Sequence, residues 1–509
     1  MELTEPLHRG ARERPEAIAL VCGARRVSYA RLAERVARLA AALRAMGLQP
    51  CDRVALLGLN SDRYVECLFG SWWAGGVVNP VNTRWNPREI AYSLDDCETR
   101  ILLVDDTFKA MAPELLRLSR SLRTLVYVGD GEPPAGMLGY EALLAAAAPA
   151  EDAHRGGDQL AAVMYTGGTT GQPKGVMLTH DNLALNARAA IAAAPRPAAG
   201  VGLCVAPIFH VGGCGLVLQL MARLARLVIL PAFDEAALLD AIRAEGGSEI
   251  FLVPTMLKRL IEHPRFRAED CATLELVLYG AAPIDAALLD QAMLALPRAA
   301  FCQMYGMTEL APVATVLPAA CHQPAQRGER LRSAGLAIPT AELRIVDAEG
   351  RPVPTGTVGE VTVRGPTVMA GYWGKPEQTA QALREGWLHT GDGGRLDADG
   401  YLYIVDRIKD MIISGGENVY SAEVENVIAQ MPQVSACAVV GLPDATWGER
   451  VHAVLVLRSG QALAAAAVTA FCRERIAGYK CPRSVEFRAE LPLSAAGKVL
   501  KYVLRSSAA

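Results

Sequence analysis

The sequence predicts an α/β protein: a large N-terminal domain of layered βαβ subdomains with a β-rich subdomain, then a small α+β C-terminal domain. Three observations carry that prediction. Strand and helix signals alternate through residue 253, which favours parallel βαβ layers over an all-β or all-α plan. Beyond Ile338 the texture changes to short alternating strands separated by Gly and Pro turns. After the charged run Asp406-Arg407-Ile408-Lys409-Asp410 a compact βα pattern resumes over the last hundred or so residues, a normal size for a small domain.

Residues 17–22 read as a strand and Gly23-Ala24 as a turn. Ser28 is a natural N-cap for a helix whose apolar stripe is Leu32, Val36, Leu39, Leu43 and Met46, ended by Gly47. Residues 54–57 form a strand, Asn60-Ser61 opens a helix, and residues 75–78 return to strand; further strands fall at 101–104, 125–128, 226–229 and 250–253. The uncharged stretch from Pro197 to Ala222 is long enough to cross a bilayer. Pro207, His210 and its glycines break it instead into a strand at 203–206, a loop and a buried helix. The later strands are 342–346, 359–363 and 401–405. The C-terminal pattern is a helix at 421–428, strands at 436–440 and 453–457, and a helix at 465–475. The domains expected are therefore 1–406 and 411–509, with the boundary between them at 407–410.

Composition excludes several classes. Of 509 residues, 51% are hydrophobic and 21% charged, too much apolar content for a disordered chain. A net charge of −3 argues against a nucleic-acid partner. The twelve cysteines form no CxxC or Cys/His cluster, so neither a disulfide framework nor structural zinc is indicated. The N-terminus shows no signal peptide and the C-terminus no lipidation signal. A cytoplasmic enzyme without an integral membrane segment is expected, with peripheral membrane contact and monomer or homodimer left open.

The strongest chemical signal is Tyr165-Thr166-Gly167-Gly168-Thr169-Thr170-Gly171-Gln172-Pro173-Lys174-Gly175. Glycines let backbone N–H groups turn towards an anion, threonine hydroxyls add donors, and Lys174 adds charge, which together suit a polyphosphate. It is not a Walker loop, because no Gly-Lys pair is followed by Ser or Thr, here or at Gly374-Lys375 and Gly497-Lys498.

This segment resembles the phosphate-binding signature of the adenylate-forming superfamily, which includes acyl-CoA synthetases, peptide-synthetase adenylation domains and firefly luciferase. Four further segments agree in order. Tyr305-Gly306-Met307-Thr308-Glu309 is similar to a Y-G-x-T-E motif, and Thr390-Gly391-Asp392 to a T-G-D motif. Asp406 to Asp410, running into Ser414-Gly415-Gly416-Glu417-Asn418, is similar to the hinge motif, and Pro492 through Lys498 to the catalytic-lysine motif. The resemblance implies ATP, Mg²⁺ and coenzyme A as reactants and cofactors, a small-molecule carboxylic acid as substrate, and a mobile C-terminal domain.

Joining two anions requires counter-charge and in-line positioning. By resemblance Lys498 bridges carboxylate and α-phosphate, Glu309 holds Mg²⁺ with Thr166, and Asp392 accepts the ribose hydroxyls with Arg407 in support. On composition alone a turn residue is the better reading of Asp392. Gly280-Ala281-Ala282-Pro283 resembles the segment lying along the adenine. Lys409 is the implied hinge residue, Gly415 and Gly416 line a pantetheine tunnel, and Trp447 either rests on the CoA nucleotide or is a core tryptophan. Pro207-Ile208-Phe209-His210-Val211-Gly212-Gly213 resembles the loop near the acid's carboxyl end, where His210 is a gate residue or a satisfied core histidine. No Arg or Lys in these segments marks a second carboxylate, which disfavours dicarboxylates. Three positions depart from the pattern: Gly167 replaces Ser or Thr, Ala496 replaces Thr, and Ser421 replaces Pro. The expected activity is ATP-dependent acyl-CoA synthesis with release of AMP and pyrophosphate, on a medium- or long-chain fatty acid. The alternatives are an aryl or short-chain carboxylate, or loading of a carrier protein.

Overall fold

The computed structural model describes residues 1–166, 172–198, 200–323, 328–415, 417–493 and 499–507, without the side chains of Lys409 and Asn418. Among the described residues the strands form four sheets, of nine, eight, five and five strands.

The first two sheets are mostly parallel, and their strands read Ile-Ala-Leu-Val-Cys (Ile18–Cys22), Arg-Val-Ala-Leu-Leu (Arg53–Leu57) and Ile-Leu-Leu-Val-Asp (Ile101–Asp105). Such near-continuous apolar runs are what strands covered on both faces require. Helix Asp62–Trp73, capped by Ser61 accepting from the Tyr64 N–H at 3.0 Å, is buried at every position. Helix Tyr29–Ala45 starts at the predicted cap Ser28, whose Oγ accepts from the Arg31 N–H. These helices belong to one large core that reaches from Leu3 to Leu402 and includes the fully buried Trp72 and Tyr29. The expected strand–loop–helix at 197–222 is present as strand Val201–Cys204 and helix Val211–Ala222. The strand begins two residues earlier than expected because its register is set by pairing with Arg226–Ile229. No helix among the described residues is long and apolar enough to cross a membrane.

The third sheet is the antiparallel one expected after Ile338, built from Glu342–Val346, Gly359–Arg364, Leu383–Arg384, Trp387–Leu396 and Leu402–Arg407. A 3-10 turn, Ile408–Asp410, follows directly. The fourth sheet, with helices Ser421–Ile428 and Ala465–Arg473, has its own core around Ile412, Val439, Val451 and Val468. The protein is thus a mixed α/β chain with a large N-terminal domain and a separate C-terminal domain. All twelve cysteines are free thiols.

Candidate active site

Several of the residues expected at the site lie near one another around Glu309. Strands Leu160–Thr166 and Lys174–Thr179 form an antiparallel hairpin in which Thr166 stands opposite Lys174. On its outer edge the two-residue strand Gly371–Tyr372 pairs with Met177 and Val176. That pairing places the Tyr372 ring under Lys174, whose Nζ lies 4.9 Å from the ring centroid. The Tyr372 hydroxyl donates to Glu309 Oε1 at 3.0 Å.

Glu309 sits on a 3-10 turn, Thr308–Leu310, that is clamped from two sides. Asn186, in the middle of helix His180–Ala193, donates to the carbonyls of Leu310 (2.9 Å) and Val313 (2.7 Å) and accepts from the Val313 N–H. The Glu309 carbonyl accepts from the Met369 N–H at 2.9 Å. The carboxyl itself is buried, 7% exposed. Burial raises its proton affinity above the ordinary carboxylate range, while Tyr372 and the charges of Arg407 and Lys174 pull the other way.

A second constellation adjoins it. Asp392 lies in the middle of the ten-residue strand Trp387–Leu396, directly across from Arg407. The alternative reading of Asp392 as a turn residue does not hold: it is strand, paired with Arg407. Arg407 Nε contacts Asp392 Oδ1 at 2.8 Å and the Tyr305 hydroxyl donates to Oδ2 at 2.7 Å. A carboxylate has about four acceptor positions, so Asp392 retains capacity for a diol. Burial and the neighbouring Asp392 push the Tyr305 phenol far up, so it stays a donor.

Two glycines here are required by close approach. A Cβ at Gly280 would stand 2.1 Å from the Met304 carbonyl oxygen, and one at Gly306 1.9 Å from that of Pro312. Both end parallel strands, Leu276–Gly280 and Ala300–Gly306, paired through Gly280 and Met304. Their carboxyl ends form the edge where open α/β sheets take ligands. Ala281, Ala282 and Pro283 follow at that edge, as do Met307 and Thr308.

His210 is the N-cap residue of helix Val211–Ala222, half-buried, with its ring 5.1 Å from that of Phe209. Behind it Gly213 is pressed against the Pro207 carbonyl oxygen, 2.2 Å from where its Cβ would be. Gly212 has room for a Cβ by contrast: outside its own helix, an added Cβ would meet Phe251 Cε1 at 3.7 Å, an ordinary van der Waals contact.

Gly415 and Trp447 form a separate group on the C-terminal domain. The Gly415 N–H donates to the Trp447 carbonyl at 2.8 Å, and a Cβ at Gly415 (φ +64°) would strike the indole at 2.8 Å. The indole is 40% exposed with the Arg483 guanidinium 4.0 Å above it. Trp447 is therefore a surface aromatic, not a core tryptophan. Gly167, Gly168, Thr169, Thr170, Gly171, Gly416 and Lys498 lie outside the described residues, as does the side chain of Lys409.

Ser421 gains meaning from its surroundings. Its N–H and Oγ donate to Asp406 Oδ2 (2.5 and 2.6 Å), and its Oγ accepts from Lys501 Nζ at 2.5 Å. Lys501 also contacts Glu425 Oε1 at 2.8 Å. Proline, having neither N–H donor nor hydroxyl, makes none of these bonds. The network ties the end of the third sheet to the first helix of the C-terminal domain. Asn186, Tyr372 and Lys501 were not expected from the sequence.

Glu309 and Thr166 offer oxygen atoms beside Lys174, the hard donors that Mg²⁺ takes, so the residues fit that ion. Comparison with known proteins agrees with this chemistry. The chain matches the AMP-binding enzyme family over residues 7–373 and the AMP-binding enzyme C-terminal domain over 423–498. A feruloyl-CoA synthase of Amycolatopsis sp is 42% identical over 98% of this chain and 97% of its own length. A fatty acid–[acyl-carrier-protein] ligase, ScoC, of Streptomyces coeruleorubidus is 37% identical over 97% and 94%. The crystal structure of ATP-bound MatB from Rhodopseudomonas palustris superposes with a TM-score of 0.89 at 33% identity, covering 100% of this chain and 99% of that one.

Fold and site together define an adenylate-forming enzyme, and the chain belongs to the AMP-binding enzyme family. Within it the chain is an AMP-forming acid–thiol ligase, working with ATP, Mg²⁺ and coenzyme A.

Proposed function

We propose that the acid activated is an aryl-substituted carboxylic acid, with an arylalkenoate of the ferulic type as the preferred substrate. The carrying observation is the aromatic neighbourhood of Gly212: the Phe251 ring edge lies 3.7 Å from where its Cβ would be, and the Phe209 ring lies 5.1 Å from that of the neighbouring His210. Aromatic rings favour offset or edge contacts with a second ring, worth about 0.5–1.5 kcal/mol beyond area burial. The 42% identity to a feruloyl-CoA synthase supports the same reading. A fatty acid remains the second reading, favoured by the uncharged helix Val211–Ala222 that carries Gly212 and by the likeness to ScoC.

In this reading Lys174 and the 166–171 segment hold the β- and γ-phosphates. Asp392 accepts hydrogen bonds from the ribose hydroxyls and Arg407 orients it. Glu309 with Thr166 holds Mg²⁺, which supplies charge neutralisation on the phosphates. Lys498 brings the acid's carboxylate to the α-phosphate. One carboxylate oxygen attacks phosphorus and pyrophosphate leaves, giving the acyl-adenylate. The thiolate of CoA, admitted past Gly415 and Gly416 with Trp447 at the nucleotide, then attacks the acyl carbon and AMP leaves. His210 closes the acid pocket at the carboxyl end. Lys409 and its neighbours are the pivot between the two steps, at the junction of the domains 1–406 and 411–509. The test is kcat/KM for CoA-ester formation across ferulic acid, an unsubstituted arylalkenoate, medium- and long-chain fatty acids and malonate. An aryl preference of about 10-fold or more is expected, the size of a 1.4 kcal/mol difference. Preference for a fatty acid, or turnover only with a phosphopantetheinyl carrier protein, refutes the proposal.

A further inference from the structure

Far from this site, the N-terminal helix Glu5–Glu13 meets the segment that links helix Tyr140–Ala146 to strand Leu160–Thr166. His8 Nε2 lies 2.8 Å from Asp152 Oδ2, and His154 Nδ1 lies 2.9 Å from Glu2 Oε2. One ligand atom each from His8, Asp152 and His154 falls within 4.8 Å of the others. We propose that His8, Asp152 and His154 form a three-ligand binding site, with the remaining position open to water, for a borderline divalent cation of the Zn²⁺ class that staples the N-terminal helix to the 147–159 segment.

The donor set selects the class. Two imidazoles with a carboxylate suit Zn²⁺, Co²⁺ or Ni²⁺, whereas Mg²⁺ and Ca²⁺ take oxygen. Tetrahedral ligands at 2.0–2.1 Å from zinc stand about 3.3 Å apart, so small side-chain rotations close the set.

The positions are held independently of any ion. The His8 ring stacks on Trp73, centroids 4.4 Å apart, and on His154 at 5.7 Å with an 18° interplanar angle. Asp152 Oδ1 accepts from the His154 N–H at 3.0 Å, which leaves Oδ2 for His8 or a metal. The segment is anchored on either side of Asp152: the Trp73 indole donates to the Ala150 carbonyl, and the Ala153 N–H donates to the Trp73 carbonyl, both at 2.9 Å. The Asp152 side chain is 1% exposed and that of His154 63%, so a buried carboxylate backs an entrance open to solvent. Buried charge requires a partner, and a cation supplies more than a neutral imidazole does. Residues 8 and 152 are 144 apart in sequence, so an ion here closes a long loop and stabilises the folded state by mass action.

The test uses the full-length protein stripped with a chelator and kept in excess Mg²⁺, so that the nucleotide site holds its own ion. Calorimetric titration with Zn²⁺ alone should give one ion per chain with micromolar or tighter affinity, and thermal unfolding should shift upward. Co²⁺ should give visible d–d absorption of tetrahedral strength. His154→Ala, at an exposed position, should weaken affinity at least about 10-fold and remove most of the thermal shift. Cys51→Ser should change neither, which excludes the exposed thiol near Arg155. Failure of the wild type to take up Zn²⁺, equal displacement by Mg²⁺, or a His154→Ala variant that binds as tightly as wild type each overturns the site.

Discussion

Removing one hydroxyl, Tyr372→Phe, tests whether Glu309 is a tuned ligand. The hydroxyl donates to Glu309 Oε1 at 3.0 Å inside a site where the carboxyl is 7% exposed. A hydrogen bond to a charged group contributes about 1.5–3 kcal/mol, and water entering the vacated volume recovers part of it. A loss near the lower end, about 1.5 kcal/mol, corresponds to roughly 10-fold. The ring stays, so Lys174 keeps its cation–π contact at 4.9 Å. Without the hydroxyl the Glu309 carboxyl rises further in proton affinity, and Mg²⁺ must compete with a proton more often. Acid-dependent ATP–pyrophosphate exchange, measured against Mg²⁺ concentration, should therefore show a half-saturating Mg²⁺ raised about 10-fold. Tyr372→Leu should lose more, because the Lys174 contact goes as well. An unchanged Mg²⁺ dependence in Tyr372→Phe refutes the reasoning.

Three further outcomes are expected. Gly212→Val adds bulk against Phe251 and should lower kcat/KM for bulky acids by about 10-fold or more, at 1–3 kcal/mol per methylene-sized change, while sparing acetate; equal loss for both contradicts the pocket. Ser421→Ala breaks the link from Asp406 to Lys501 and should alter the ratio of adenylation to thioester formation, read from the two half-reactions separately, with thermal stability nearly kept; an unchanged ratio contradicts the link. Burial depresses His322 to about 4 despite its contact with the Pro318 carbonyl, so its contribution is complete above the unfolded value near 6.5 and is lost as pH falls from there to about 4, at most about 3 kcal/mol at 1.36 kcal/mol per unit. Urea titrations at pH 7 and pH 4.5 should show a smaller difference in His322→Gln than in wild type.

Much of this was legible because the relevant signals are local. Ser28 and Ser61 cap helices as side-chain acceptors wherever they precede an apolar stripe, and helix Ser421–Ile428 has the bounds its periodicity gives. The segments carrying Lys174, Tyr305, Glu309, Asp392 and Arg407 were marked by residue type and order. What escaped depends on long-range pairing. Tyr372 matters only because a two-residue strand joins the edge of a hairpin nearly two hundred positions earlier. Asn186 is an ordinary polar residue within a helix until the turn of Glu309 docks on it. Asp392 was compatible with a turn, and only pairing with Arg407 makes it strand. Strand Val434–Asp444 runs well past the predicted 436–440 because its partner, Gly448–Leu457, carries the hairpin through Pro443.

The measurement that bears most directly on the account is acid-dependent ATP–pyrophosphate exchange without CoA, across the same panel of acids. It isolates the adenylation step that the proposed function assigns to Lys174, Glu309, Asp392 and Arg407, and it reads the proposed acid pocket with no contribution from the thiol. The account predicts robust exchange, at least about 10-fold faster per unit concentration with an arylalkenoate than with a fatty acid. Exchange as fast or faster with a fatty acid would contradict it.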